Sequence, residues 1–362
     1  MSAVTATSPL ADTVAAFFAR RARWTPFEIA FWLVALASIW LFPTKHLILT
    51  ETAILALFAL SLDLILGYAG IISLGHAAFF GVGAYFTGLV AKYGLINEPV
   101  LALFAAGLAA AVIGFATSFL VLRGSDLTRL MVTLGVALIL REIANRYSNI
   151  TGGADGLQGV DIQPVLGLFR FDLYGHTAYI YCLSVLFVVF VVARRIVQSP
   201  FGLSLGALRG NPLRAAAVGI PVNARLVAIY TVSAGIAGVA GALLTQTTAF
   251  CSLDVLSFDR SADLLLVLII GGTGYLYGGL IGAVIFKFMQ DYLANLTPQY
   301  WQFWIGLVLV LIVLVGRERA TGWTGYARAG LIKLFARAPS LPSPAGGGKG
   351  PAAVGGAAPD GH

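Results

Sequence analysis

Between Thr52 and Ala91 the only acidic or basic side chains are Asp63 and His76, and the middle of that run is the glycine-broken string Gly67-Tyr68-Ala69-Gly70-Ile71-Ile72-Ser73-Leu74-Gly75-His76. At about 1.5 Å per residue a continuous helix over such a run would reach ~60 Å, about twice the hydrocarbon thickness of a bilayer. The chain has to turn back, and the glycines mark where. Broken helices with polar atoms at membrane depth are tolerated only where they are buried in protein or line a water-filled path. A transport path is the first function this run suggests.

Composition sets the class. Hydrophobic residues make up 59% of the chain and charged residues 11%, against roughly 45–50% and about 25% in soluble domains. This is the composition of a polytopic membrane protein, with room for about ten spans, one long loop and two tails. The net charge of +7 would suit nucleic acid, but the excess falls between spans and in the tails, where it reports topology. Cys182 and Cys251 cannot form a disulfide framework, and a single bridge between them is disfavoured. His46, His76, His176 and His362 show no metal-ligand spacing, so no metal site is expected.

Residues 1–26 read as a cytoplasmic amino-terminal segment ending in Arg20, Arg21 and Arg23. Ala35-Leu36-Ala37 resembles a signal-peptidase site, but Ile39-Trp40-Leu41-Phe42 continues the apolar run past it, which favours an uncleaved first helix. Further helices are expected at about 49–67, 71–92, 98–122, 129–147, 178–194, 226–249, 261–275, 278–296 and 301–316. The fold class is therefore all-α: a polytopic integral membrane helical bundle with about ten transmembrane helices, some glycine-broken. The transmembrane domain would span 27–320, and 321–362 would be a basic, then Pro/Gly/Ala-rich tail, largely disordered and cytoplasmic.

With the amino terminus inside, Arg123, Arg129, Arg194, Arg195, Arg209, Arg214, Arg225, Arg317, Arg319, Arg328, Lys333 and Arg337 fall on the cytoplasmic side. Only Lys45, Lys92, Arg146, Arg170 and Arg260 fall outside, an asymmetry that supports both termini being cytoplasmic. From Ser261 to Leu296 the chain is short for two crossings of roughly 20 residues each, so a helical hairpin or re-entrant pair is expected there. Its glycine break, Gly271-Gly272-Thr273-Gly274-Tyr275, follows one helix much as the Gly67 break follows another. Paired breaks are a sign of an internally repeated transporter, and close helix packing is the plainer reading of the same glycines.

Catalytic motifs are missing. Gly346-Gly347-Gly348-Lys349-Gly350 lacks the first glycine and the following Ser or Thr of a nucleotide-binding loop, and no H-E-x-x-H, G-x-S-x-G or paired-cysteine motif occurs. If transport is ATP-driven, ATP and Mg belong to another polypeptide. Asp63 is expected to pair with or snorkel toward Arg123, Arg129 or Lys287 rather than to contact substrate. Arg141 and Glu142 read as a structural pair. His76 reads either as a packing residue bonded through one ring nitrogen or as a pore-lining one.

The string Ser61-Leu62-Asp63-Leu64-Ile65-Leu66-Gly67-Tyr68-Ala69-Gly70, followed by Ser73-Leu74-Gly75-His76-Ala77-Ala78-Phe79-Phe80-Gly81-Val82-Gly83-Ala84-Tyr85, closely resembles the amino-terminal signature of LivM-type permeases of branched-chain amino acid ABC transporters. Val132-Thr133-Leu134-Gly135, Thr151-Gly152-Gly153 with Gly156, and Gly271-Gly272-Thr273-Gly274 with Gly278 to Ala283 agree in order. The resemblance implies a heterodimer with a related second permease, two cytoplasmic ATPase subunits and a periplasmic solute-binding protein, in the bacterial inner membrane. It also implies that an inside loop docks on the ATPase. The matching stretch runs from Ala207 to Ile220, with Arg209, Asn211, Arg214, Ala216, Gly219 and Ile220 as candidate coupling residues. Ala216 stands near where the family often has Glu, which leaves docking to Arg209, Arg214 and shape.

The expected translocation path runs near Gly70, Ser73, His76, Gly81 and Gly83, with the Gly67 turn toward the cytoplasmic side. The expected function is a permease subunit moving branched-chain or related small amino acids from periplasm to cytoplasm, with no catalytic residue and no nucleic-acid partner. The alternatives are a urea or short-amide ABC permease, or a self-sufficient channel or secondary carrier.

Overall fold

The computed structural model describes residues 24–172 and 174–315. Each expected apolar run carries a helix: α1 (Pro26–Leu41), α2 (His46–Asp63), α3 (Ala77–Lys92), α4 (Pro99–Val121), α5 (Asp126–Arg146) and α6 (His176–Gln198). The stretch expected as an inside loop folds as α7 (Pro200–Gly210) and α8 (Pro212–Ala217), followed by α9 (Val222–Thr248), α10 (Phe258–Gly271), α11 (Leu276–Leu296) and α12 (Trp301–Val315). No strand occurs among the described residues. The chain divides into two compact units, Met1–Leu309 and Val310–His362, and only the end of α12 is described in the second. The amino-terminal arginines, the basic residues from Arg317 onward and the Gly346–Gly350 run lie outside the described residues.

Four helices are long and apolar enough to cross a bilayer alone: His46–Tyr68, Pro99–Val121, His176–Gln198 and Val222–Thr248. α10 and α11 reach that standard only together, bent by 111° at their break, as the short Ser261–Leu296 stretch requires. α1 and α3 have 16 residues each, or ~24 Å against a hydrocarbon core of ~30 Å. The expected helices are all present, but glycine breaks and charged ends keep several from being full-length straight spans.

α2 and α9 form the centre. Within its apolar window α2 is 83% buried and α9 67%, against 33% for α4 and 39% for α6, whose outer faces are free for hydrocarbon. α9 packs most extensively on α3 and α4, and α2 packs on α6, α9 and α11. In a membrane such helices gain little from burying apolar surface, so close backbone approach and dispersion hold them together. α9 supplies this with Gly235, Gly238 and Gly241, spaced three apart. A Cβ on Gly83 would run into the carbonyl of Gly238, and one on Gly241 into the carbonyl of Phe80.

α1 attaches by charge and aromatic rings. Thr25 and Glu28 form a capping box with Pro26 in the first turn. Glu28 Oε2 also accepts from Arg194 of α6 at 3.1 Å, with both side chains nearly enclosed. Arg194 lies 4.7 Å over the Trp24 ring, and Trp32 meets Phe187 and Phe190 edge-on. Cys182 and Cys251 are buried free thiols.

Candidate functional site

α2 ends at Asp63, and Leu64–Tyr68 continue it as one π-helical turn. The widened turn gives out at Gly70, whose φ of +74° is costly for any residue with a Cβ. From there to His76 the chain leaves helix, and its backbone groups need partners from elsewhere. Ile71 donates its N–H to the Ile65 carbonyl at 2.9 Å. Leu74 N–H donates to Thr133 Oγ1 of α5 at 3.2 Å, and Ala77 N–H to Ser261 Oγ of α10 at 3.0 Å. Sequence stretches far apart in the chain therefore converge on this first break.

The second break meets it directly. Between α10 and α11, Gly274 has a φ of +83° and donates its N–H to Asp63 Oδ1 at 2.7 Å. A Cβ on Gly67 would collide with the Asp63 carboxylate on one side and the Gly274 nitrogen, 2.5 Å away, on the other. Asp63 is fully buried. Of the cations expected near it, Lys287 pairs with Glu51 at 2.6 Å and Arg129 with Asp126 at 3.0 Å. The acceptor at the end of α2 is taken up by a backbone donor that a glycine turn leaves outside the helical ladder.

α7 lies against both breaks. Ser199 Oγ accepts from Gly202 N–H at its start, Pro200 occupies its first turn, and Arg225 sits 5.1 Å over the Phe201 ring, tying the beginning of α9 to α7. From its last turn Arg209 donates through Nη1 to the Gly67 carbonyl. The same nitrogen lies 2.9 Å from the place a Cβ would take on Gly274, and Arg209 Cγ lies 3.2 Å from that on Gly70. One side chain from α7 thus touches both glycine breaks.

The remaining candidate coupling residues lie at and after α8. Asn211 caps α8 by accepting from Arg214 N–H at 3.0 Å, with Pro212 in the first turn and Ala215 buried beneath. Arg214, Ala216 and Gly219 are exposed and Ile220 half-buried. Leu213 and Val218, each 82% exposed, put two large apolar side chains at the solvent-facing end of the loop. Sequence reasoning missed both. The only signal for them was a large apolar residue on either side of Arg214-Ala215-Ala216-Ala217.

The residues expected along a path are packed. His76 is fully buried, with Nε2 2.9 Å from Ser61 Oγ and 3.4 Å from Ser233 Oγ, and its ring stacks on Phe58. Ser233 Oγ in turn donates to the Ser61 carbonyl at 2.5 Å, so one polar node joins α2, α9 and the start of α3. Ser73 is fully buried beside it in sequence, Gly70 is half-buried under Arg209, Gly81 abuts Leu256, and Gly83 abuts Gly238. An apolar cavity of about 250 Å³ lies instead between α1, α2, α6 and α11, among Trp32, Phe42, Ala53, Tyr179, Leu186 and Leu280. Arg141 and Glu142 are exposed on α5. Among the described residues no group of three or more His, Cys, Asp or Glu could hold a metal ion.

The family model described as branched-chain amino acid transport system / permease component matches residues 46–313, a stretch that contains both breaks and the α7–α8 loop. The chain is 27% identical over 307 residues to the high-affinity branched-chain amino acid transport system permease protein LivM of Escherichia coli, covering 78% of this chain and 72% of that protein. It is 29% identical over 290 residues to the LivM protein of Salmonella typhimurium, covering 74% and 67%. It is also 26% identical over 239 residues to the galactose/methyl galactoside import permease protein MglC of Haemophilus influenzae, covering 62% and 68%. No solved structure matches the chain at a significant level. With a family match over most of its length and an all-helical, membrane-spanning build, the chain belongs to the branched-chain amino acid transport system permease family.

Proposed function

We propose that the chain is one permease subunit of an ATP-driven importer that moves branched-chain or related small amino acids from the periplasm to the cytoplasm across the bacterial inner membrane. The observation that carries this reading is the family match over 46–313. In this reading a related second permease completes the membrane unit, a periplasmic solute-binding protein delivers the amino acid, and both termini are cytoplasmic. Two separate ATPase subunits bind ATP and Mg beneath it, and this chain binds no cofactor. Its residues shape the path and transmit force, and none acts in catalysis.

The α7–α8 loop is the docking element. Its apolar tip at Leu213 and Val218 is exposed on a basic, capped support, a combination suited to an apolar groove with a polar rim. A self-sufficient channel has no use for such a tip. The test is uptake into liposomes containing this chain with its partner permease, ATPases and binding protein. Labelled leucine should enter only with ATP, and urea should not compete. ATP-independent uptake by the chain alone would overturn the reading.

A further inference from the structure

Both breaks carry backbone groups that their helices no longer satisfy, and two charged side chains satisfy them. The Asp63 carboxylate takes the Gly274 N–H, and the Arg209 guanidinium takes the Gly67 carbonyl. Hydrogen bonds with one ionised partner are roughly twice as strong as neutral ones. Resting on the reading of the chain as a permease driven by separate ATPases, we infer that Arg209 and Asp63 clasp the two glycine breaks to α7, so that Arg209 is the positioning residue through which movement of the coupling loop reaches the membrane helices.

The geometry supports transmission in three ways. First, helices move as rigid bodies, so displacement collects where the intrahelical ladder is interrupted, and the chain is interrupted at both breaks. Second, the breaks lead into different parts of the bundle. The first opens into α3, packed on α9, and the second into α11, packed on α2. A pull at the clasp therefore acts on both. Third, the positive φ of Gly70 and Gly274 turns the backbone around the arginine stem without a Cβ in its way. Side chains at these positions would push Arg209 out.

α7 can carry the displacement. It is 11 residues long, capped at its start by Ser199, and bound to α9 through Arg225 on Phe201. The route from outside to inside runs from the exposed tip at Leu213 and Val218, through α7, to Arg209, Gly67 and Gly274. Arg209 is partly exposed and reaches the breaks through its guanidinium, whereas Leu213 stands in solvent.

The test uses the complete transporter in proteoliposomes and measures solute moved per ATP hydrolysed, a ratio that a merely structural contact would leave alone. Arg209→Gln should lower the ratio by about tenfold, the size of a typical lost coupling, and Arg209→Lys should recover part of it. A ratio unchanged in Arg209→Gln, or uptake and hydrolysis falling in proportion, overturns the inference and leaves the permease reading standing. A wild-type complex that moves no solute on ATP overturns both. If Arg209→Gln does not assemble, Gly70→Ala decides: its Cβ would lie 3.2 Å from Arg209 Cγ, so the side chain should displace the arginine and lower the ratio as Arg209→Gln would. A ratio unchanged in Gly70→Ala overturns the clasp.

Discussion

Asp63, at the end of α2, accepts a hydrogen bond at 2.7 Å from the backbone of Gly274, 211 residues further along the chain. A buried acceptor in a membrane segment needs a donor. Here the donor is an N–H left outside the helical ladder because α10 stops and α11 restarts. Two breaks that would each be weak alone complete one another.

Removing that acceptor should be felt at once. Asp63→Leu leaves the Gly274 N–H buried without its partner, a loss of about 1–3 kcal/mol. Asp63→Asn keeps a carbonyl oxygen in place and should be milder. Thermal unfolding of the detergent-purified chain distinguishes the two, and equal losses would mean that the Gly274 contact contributes nothing.

Helix packing around α9 predicts a sharp contrast between glycines. Gly83→Val drives a branched side chain into the Gly238 carbonyl, and overpacking of this kind costs about 1–3 kcal/mol or more. Gly135→Ala meets nothing within 4 Å and should leave folded yield unchanged. Fluorescence size-exclusion profiles of the two variants are the measurement.

His76 separates packing from path. His76→Ala removes a stacked ring and the Ser61 bond, a loss of about 2–4 kcal/mol by analogy with other buried truncations. Uptake per folded molecule should stay near that of the parent. If stability holds while uptake per molecule collapses, the imidazole serves the path and not the node.

The Glu28 and Arg194 pair should behave as a buried ion pair. Either Glu28→Ala or Arg194→Ala strands one charge, at a cost of about 3–5 kcal/mol. Replacing both with apolar residues should restore most of it. Limited proteolysis near α1 reads the difference, and a double variant as weak as the singles would contradict the pairing.

At the tip of α8, Leu213→Asp and Val218→Asp should change the stability of the chain by less than about 0.5 kcal/mol, because both side chains are in solvent. Co-purification with the ATPase subunits should fail. Retained co-purification in the double variant would move the docking surface elsewhere.

Much of this was legible in the residues. Apolar run lengths placed every long helix to within a few residues at most ends. The largest miss was the start of α3, expected at 71 and found at Ala77, because seven residues of the signature are spent on the break. The bend in 258–296 was forced by a shortage of residues for two spans. What the residues did not reveal was who meets whom. No pattern in the residues placed the Arg209 guanidinium on the Gly67 carbonyl or the Asp63 carboxylate on the Gly274 amide.

The sequence by itself determined that this chain is a helical membrane protein interrupted by glycine at two places, because length, apolarity and the absence of a Cβ are local properties. Only the tertiary structure decided that the breaks touch, and that Asp63 and Arg209 hold them. α2 and α9 are apolar nearly all round, so no polar face marks their neighbours or rotation. The partners that complete the site are a backbone N–H and a backbone C=O, groups that nearly every residue carries and no sequence pattern distinguishes.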